Sequence, residues 1–155
     1  MASNANFISQ FVMGGDPCTY KESGELQAEM SKLTHPARPD VDWRQVEKLC
    51  LALFRQNGVE LQTLVCYVLA ITRRQGLAGM ADGLGSLDIL LQRWADFWPV
   101  QVHSRISLLS WVTEKMQQAL RTLDIQYQDL PQIYRCVQHL SAIETTLQQC
   151  ELWHM

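Results

Sequence analysis

The residues of this chain that could carry chemistry are its cysteines, its histidines and one run of glycines. Cys136 with His139, and Cys150 with His154, have spacings that place two possible metal ligands on one helix face. A tetrahedral zinc site would need all four side chains, but the outermost two lie roughly 20 residues apart on one straight helix. Cys136 also shares an apolar stripe with Val137. The sequence therefore predicts no metal site.

A nucleophilic cysteine would need a histidine and an orienting group beside it in a cleft. Cys18, His35 and His103 all fall in loops near prolines, and nothing in their spacing brings them together. Solvated loop side chains are the simpler interpretation of these three residues. Neither a pair of carboxylates nor a Ser-His-Asp pattern stands out. We therefore expect no enzymatic activity and no cofactor.

The glycine run is GLAGMADGLG, residues 76–85. It lacks the G-x-x-x-x-G-K-[ST] pattern of a phosphate loop, and no strand signal precedes it. Its apolar residues instead recur at helical spacing beyond the run, at Leu77, Met80, Leu84, Leu87, Leu91, Trp94 and Trp98. We therefore predict a turn at Gly76. Gly79, Gly83 and Gly85 should lie in the first turns of a helix, where they let a neighbouring helix come close.

Composition narrows the function classes. Of 155 residues 47% are hydrophobic and 19% charged, against the roughly 25% charged residues usual in globular domains. The net charge is −3 and the 13 Lys and Arg are scattered, so we expect no nucleic-acid partner. Five cysteines without a CxxC pair are typical of reduced thiols in a cytosolic protein. The N-terminal sequence lacks a secretory signal and no apolar run is long enough to span a bilayer, so we expect a soluble chain without direct membrane insertion.

Periodicity and capping signals divide the chain into six helices and no strand. Short connectors favour antiparallel neighbours, so we predict a single all-α bundle. Within it we expect an N-terminal arm over residues 1–18 and a helical domain over 19–125. Residues 126–155 should form a C-terminal helix that packs on the domain or extends it.

The first three helices have recognisable beginnings. Thr19 with Glu22 matches a capping box for the first helix, and Asp42 should cap the second. Asn57-Gly58 should end the second helix. The third helix is apolar almost all round and should lie in the centre.

The last three helices are also marked. Pro99 should stop the fourth helix, Ser104 should cap the fifth, and Asp129 with Pro131 should open the sixth. The fifth helix should turn inward Leu108, Leu109, Val112, Met116, Leu120 and Leu123. The sixth should turn inward Ile133, Val137, Leu140, Ile143 and Leu147.

Trp94, Phe97, Trp98 and Trp111 form an aromatic set. One narrow helix face cannot bury the first three rings together, because charged residues lie between them. One ring is therefore expected at the surface. Core packing is the first interpretation of the set and a protein-binding anchor the second.

Four stretches of the chain are shared with a known family: GGDP at 14–17, DWRQVEKL at 42–49, ELQTLVCYVLAITRRQGLAGMADGLGSLDILLQRWADFWP at 60–99, and SRISLLSWV at 104–112. Together they resemble the ImpA N-terminal domain, the shared N-terminal module of the TssA, TagA and VasL group in bacterial type VI secretion systems. The resemblance covers roughly residues 13–115.

The family pattern has an Asp-Trp pair that opens a helix, a glycine-leucine run, a Trp-Pro pair and an Arg that begins a further helix. In this chain these are Asp42-Trp43, the run from Gly76 to Leu84, Trp98-Pro99 and Arg105. Glu60-Leu61-Gln62 stands where the family usually has Asp-Leu-Arg, so an ion pair made by that Arg is absent here.

The resemblance and the aromatic set together mark the residues to follow. Partner contacts are expected at Trp43, Phe97, Trp98 and Arg105. Structural roles are expected at Asp42, Gly76, Gly79, Gly83 and Pro99.

The resemblance implies a non-enzymatic assembly protein that docks onto the baseplate, the tail sheath or tube, or membrane-complex proteins of the secretion machine. Family members are usually longer, so the chain looks like an N-terminal piece. We expect it in the cytoplasm, near the inner membrane through the machine or a missing C-terminal region. The alternative is a self-associating structural module, a homo-oligomer that dimerises through its apolar fourth and sixth helices, with recruitment done by the missing region.

Overall fold

The computed structural model describes residues 8–37 and 39–154, with side chains as far as Gln149. Six α-helices follow one another along this part of the chain, and a 3-10 turn at Tyr127–Asp129 precedes the last of them. The helices are α1 Lys21–Ser31, α2 Trp43–Gln56, α3 Leu61–Gln75, α4 Leu77–Leu91, α5 Val102–Leu120 and α6 Leu130–His154. The predicted all-α fold is confirmed. Among the described helices, none combines the length and the apolar character needed to cross a membrane.

The central element is α3, against which α2, α4 and α5 all pack. α1 packs on the outer side of α2, and α6 packs on α4. Every residue of α3 from Thr63 to Thr72 is buried, because neighbours surround the helix on three sides. This confirms the central position predicted from its all-round apolar sequence.

α3 and α4 are joined by Gly76 alone and lie in close contact. Gly76 has φ +66°, a left-handed conformation that glycine adopts without strain. A Cβ at Gly79 would overlap the carbonyl oxygen of Ile71, and one at Gly83 would lie 2.7 Å from Val68 Cγ1. Gly76 therefore forms the turn, and Gly79 and Gly83 lie where α3 and α4 approach each other most closely.

α2 begins and ends as predicted. The Asp42 side chain accepts a hydrogen bond from the Gln45 amide at 3.2 Å, which caps the helix. Gly58 follows the helix with φ +108°, and the next residue, Val59, accepts a hydrogen bond at 2.8 Å from the Gly14 amide. This bond ties the segment before α1 to the α2–α3 connection.

Two predicted caps are wrong. α1 begins at Lys21, after Tyr20, and no side chain caps it, so Thr19 and Glu22 do not form a capping box. The residues before it form a tight turn, in which the Tyr20 amide donates to the Pro17 carbonyl at 3.0 Å. α5 begins at Val102, so Ser104 lies inside its first turn and does not cap it.

The predicted length of the fourth helix is also wrong. α4 ends at Leu91, and residues 92–98 form successive turns. Trp94 and Trp98 therefore do not continue the apolar stripe of α4. Pro99 does not stop the helix, since α4 has already ended at Leu91. A cis peptide bond joins Trp98 to Pro99.

The predicted inner faces of the last two helices are correct only in part. Leu120 is 37% exposed on α5, and Val137 and Leu140 are 53% and 49% exposed on α6. Among the described helices α6 packs mainly on α4, so its fully buried residues form a narrow stripe that includes Cys136 and Ile143. The remaining inward positions of the prediction are buried or half-buried: Leu108, Leu109, Val112, Met116, Leu123, Ile133, Ile143 and Leu147.

Ion pairs fix the register of α6 on α4. Arg135 of α6 donates to the Asp82 carboxylate of α4 at 2.6 Å. One turn further along, His139 Nδ1 lies 3.8 Å from Asp88 Oδ2. The two contacts lie four residues apart on α6 and six residues apart on α4, so together they favour one alignment of α6 along α4.

The close contact of α3 and α4 generates a prediction for Gly79. Although Ala favours a helix interior over Gly by about 1 kcal/mol, Gly79→Ala should lower the free energy of unfolding by about 2 kcal/mol, because the Cβ displaces the backbone of α3. Urea denaturation measures the change. Gly24→Ala in α1 is the matched control: its Cβ meets nothing within 4 Å, and it should gain about 0.5–1 kcal/mol. Equal effects of the two substitutions would contradict the packing described.

Candidate functional site

A groove runs between α1 and α5 over the first turns of α3. α1 packs on α2 and α5 packs on α3, and in the described chain these two outer helices do not pack extensively on each other. The first part of the groove is a cavity of about 430 Å³. Its lining residues are Gln27, Met30, Ser31, Gln62, Val65, Cys66, Leu108 and Trp111. We call this feature, together with the cavity that adjoins it, the α1–α5 groove.

The second part of the α1–α5 groove is a cavity of about 390 Å³. It is lined by Gln62, Trp98, Pro99, Val100, Gln101, His103, Ser104, Ser107 and Leu108. Gln62 and Leu108 line both cavities, so the two adjoin. The groove therefore has an apolar floor, an indole near each end and polar groups along its sides.

Arg105 holds the chain that forms one end of this groove. Its Nε donates to the Pro99 carbonyl at 2.6 Å, and its two terminal nitrogens donate to the carbonyls of Trp94 at 2.5 Å and Phe97 at 2.7 Å. The guanidinium carbon also lies 4.0 Å from the centroid of the Phe97 ring and 4.7 Å from that of Trp94. A planar group with donors on several edges can make these bonds and stack at once, which an ammonium group cannot.

The same contacts explain why α4 ends early. The carbonyls of Trp94, Phe97 and Pro99 point toward one buried cation, so residues 92–99 turn around Arg105 instead of continuing the helix. Arg105 is 3% exposed, and a buried cation is tolerated only when hydrogen bonds replace its water. We call this arrangement the Arg105 clasp.

The structure buries two of the four residues expected to contact a partner. Phe97 is 0% exposed and lies in the core, and Arg105 is occupied within the clasp. Trp98 is half-buried and lines the second cavity, so its ring has access to the α1–α5 groove. The surface ring expected from the aromatic set is therefore not Phe97, whereas Trp98 stays a predicted partner contact.

Trp43, the fourth expected contact, lies elsewhere. It begins α2, is half-buried and has the Arg73 guanidinium 5.9 Å from its ring centroid. Arg73 is in the last turn of α3, whereas the Trp98 carbonyl accepts from the Leu61 amide at the beginning of α3. Twelve residues of helix separate these positions, roughly 18 Å. Trp43 and Trp98 therefore do not form one patch.

Glu60, which the sequence marked only as part of a departure from the family pattern, caps the beginning of α3 under the groove. It is 0% exposed, and its carboxylate accepts hydrogen bonds from the Gln62 amide at 2.6 Å, the Thr63 amide at 2.9 Å and the Thr63 hydroxyl. Burial raises its pKa to about 7, although these donors act in the opposite direction. A glutamate before a helix is a possible N-cap signal, but its burial could not be read from the sequence.

The cysteines and histidines do not assemble into a reactive centre in the part of the chain described. Cys50, Cys66 and Cys136 are buried, and desolvation raises the pKa of each thiol. Cys18 is exposed, and its hydrogen bond with Asp16 raises its pKa, which disfavours the reactive thiolate.

The candidate metal ligands do not converge either. His139 lies beside Asp88 of α4, and the described residues contain no group of three or more potential metal ligands. The side chains of Cys150 and His154 lie outside the described residues.

Comparison with known proteins gives one match. The family model described as "ImpA, N-terminal, type VI secretion system" matches residues 8–114. No curated protein and no solved structure matches the chain. The matched region begins in the segment before α1 and ends within α5, so it contains every residue of the Arg105 clasp, while α6 lies beyond it.

The Arg105 clasp generates a prediction. Arg105→Lys should lower the free energy of unfolding by about 2 kcal/mol or more, because one ammonium group leaves buried carbonyls unpaired and loses the stacking on Phe97. Arg93→Lys is the matched control: Arg93 is half-exposed and pairs with Asp96 at 3.4 Å, so its loss should cost less than about 0.5 kcal/mol. Urea denaturation of both variants measures the difference. A fully stable Arg105→Lys protein would show that the clasp does not hold residues 92–99.

Proposed function

The chain belongs to the ImpA N-terminal family of type VI secretion proteins, and from this we propose that it is a non-enzymatic docking module that helps assemble, anchor or terminate the contractile tail. Its partners are proteins of the baseplate, of the tail sheath or tube, or of the membrane complex. It acts in the cytoplasm, close to the inner membrane through the machine that it joins.

The α1–α5 groove supports this proposal and carries its docking surface. Two adjoining cavities of about 430 and 390 Å³ reach the first turns of α3, the first between α1 and α5 and the second between residues 98–101 and α5. Met30, Val65 and Leu108 give the groove an apolar floor. A groove of this kind accepts the apolar face of a helix, with a few side chains as anchors.

Trp98 is the anchor that the groove offers at one end. Tryptophan is favoured at the energetic centres of interfaces because its ring buries a large area and its N–H adds a directed bond. The Arg105 clasp fixes the residues on both sides of Trp98, so the ring is held in place before a partner arrives. A preorganised ring loses little entropy on binding.

Two exposed serines test the docking proposal. Ser107 lines the second cavity, and Ser141 lies on the outer face of α6. In pull-downs from a lysate that contains type VI tail, baseplate and membrane-complex proteins, the unaltered domain should capture one of them. Ser107→Arg should reduce that capture at least tenfold because its side chain fills the groove, whereas Ser141→Arg should leave it unchanged. Trp98→Ala should also weaken capture in a domain whose circular dichroism shows it folded.

Two results would contradict groove docking. The first is equal capture by the unaltered domain and the Ser107→Arg variant. The second is loss of capture by Ser141→Arg alone, which would place the contact on α6.

Self-association is a second candidate function, and the exposed residues of α6 favour it. α4 packs against both α3 and α6 and most of its apolar residues are buried, so this candidate function rests on α6. The outer face of α6 exposes Tyr134, Val137 and Leu140 by 61%, 53% and 49%. Apolar exposure on one helix face is what a symmetric helix pair would bury.

Light scattering separates the two functions. Under the docking proposal the domain should be a monomer at tens of micromolar concentration, because three exposed side chains on one helix bury too little area for a stable dimer. A dimer that the Ser141→Arg substitution dissociates would instead support self-association through α6. The Ser107→Arg variant serves as the control, since its substitution lies away from α6.

A further inference from the structure

A second concave surface lies at the opposite end of α5 from Trp98. It is a cavity of about 550 Å³ lined by Lys32, Leu33, Pro39, Lys115, Gln118 and Arg121. Three of these six residues carry a positive charge and none is acidic. We call it the basic pocket. It stands out because the whole chain carries a net charge of −3.

The cations of the basic pocket come from distant parts of the sequence. Lys32 is the C-cap residue of α1 and Arg121 is the C-cap residue of α5. Basic residues at these two positions suit the negative ends of helices. Lys115 lies six residues before Arg121, inside α5 and ahead of its last turn. The helix dipole therefore does not explain a cation at this position.

Two of the three cations have no ion pair among the residues that the structure describes. Lys32 donates to Glu29 at 2.8 Å, and the second oxygen of Glu29 accepts from the Asp42 amide at 3.1 Å. Lys115 and Arg121 make no ion pair with any residue that the structure describes. Lys115 is half-buried, and a half-buried cation without a counterion gains from an anion that binds beside it.

We propose that the basic pocket binds an acidic peptide segment of a partner protein. The carboxylates of the peptide pair with Lys115 and Arg121, and with the Lys32 ammonium beside its bond to Glu29. Cations from two helices face one concavity, so carboxylates spaced along a peptide reach them together. Leu33 and Pro39 supply an apolar wall against which the peptide backbone packs. The volume lies within the range of ligand-binding pockets in proteins.

A peptide fits this pocket better than a phosphate does. Many phosphate sites combine cations with backbone N–H groups at the beginning of a helix. The basic pocket lies where α1 and α5 end, and helix ends present carbonyl oxygens, which repel a compact dianion. Carboxylates on flexible side chains can reach the ammonium and guanidinium groups without approaching those carbonyls.

This site is separate from the α1–α5 groove and goes beyond the proposed docking function. Ser104 of α5 lines the second cavity of the groove, and Arg121 lies 17 residues further along, roughly 25 Å. The result of the peptide-binding test is therefore independent of the result of the pull-down with secretion proteins.

Fluorescence anisotropy of the 155-residue chain with a labelled peptide of alternating Glu and Ala tests the proposal. The Glu peptide should bind, a peptide with Gln in place of each Glu should bind at least tenfold more weakly, and raising the salt from about 50 to 300 mM should weaken binding several-fold. Lys115→Glu and Arg121→Glu should each reduce affinity about tenfold. Lys48→Glu, which makes the same charge change at an exposed position on α2, should reduce it less than twofold.

The following results would overturn the proposal. One is equal affinity for the Glu and Gln peptides, and another is an equal loss of affinity in the Lys48→Glu and Lys115→Glu proteins, which would indicate only the overall charge. Competition by inorganic phosphate, or by phosphatidylglycerol vesicles, at lower concentrations than the unlabelled Glu peptide would assign the pocket to phosphate or to a membrane. Circular dichroism of each variant confirms that it is folded, and Lys115→Gln provides a milder substitution that should still lower affinity.

Discussion

The close contact between α3 and α4 is the constraint on which the rest of this structure depends. Gly79 and Gly83 leave space that the Ile71 carbonyl and the Val68 side chain occupy, so the two helices lie nearer than side chains would permit. With α4 placed there, α3 is available to α2 and α5, and α4 is available to α6. The close approach of α3 and α4, on which α2, α5 and α6 pack, therefore depends on two positions without a side chain.

The Arg105 clasp is the second contact that shapes the fold. It turns residues 92–99 back toward the beginning of α3, where the Trp98 carbonyl accepts from the Leu61 amide at 3.0 Å. Glu60 also holds this end of α3, because its carboxylate accepts a hydrogen bond from the Thr63 amide. The α1–α5 groove results from these contacts, because they hold one end of its wall while α1, packed on α2, leaves its floor uncovered.

Much of the fold could be predicted because local signals and global packing agree. Asp42 caps α2, and Gly58 and Gly76 adopt the positive φ that glycine favours. α3 is buried, as its apolar composition indicates. The end of α4 could not be predicted, since Trp94 and Trp98 continue a helical spacing although a residue from the next helix holds them in turns. The exposure of Val137 could not be predicted either, because helical periodicity does not show how many neighbouring helices cover a helix.

The functional surfaces could be predicted only in part for the same reason. The sequence marked both Trp98 and Phe97 as possible partner contacts, but only Trp98 lines the groove, whereas Phe97 is buried against Arg105. No sequence signal distinguishes these two neighbouring rings. The basic pocket joins residues more than eighty positions apart, so scattered charges in the sequence become one surface only in the fold.

The central claim is that the α1–α5 groove is the docking surface, and site-specific photo-crosslinking in cells that assemble the secretion machine tests it most directly. A photoreactive residue would be placed at Ser107, in the groove, or at Gln138, on the exposed side of α6. The account predicts that Ser107 forms a crosslink to a type VI baseplate, tail or membrane-complex protein and that Gln138 does not. A crosslink to such a protein from Gln138, with none from Ser107, would contradict it.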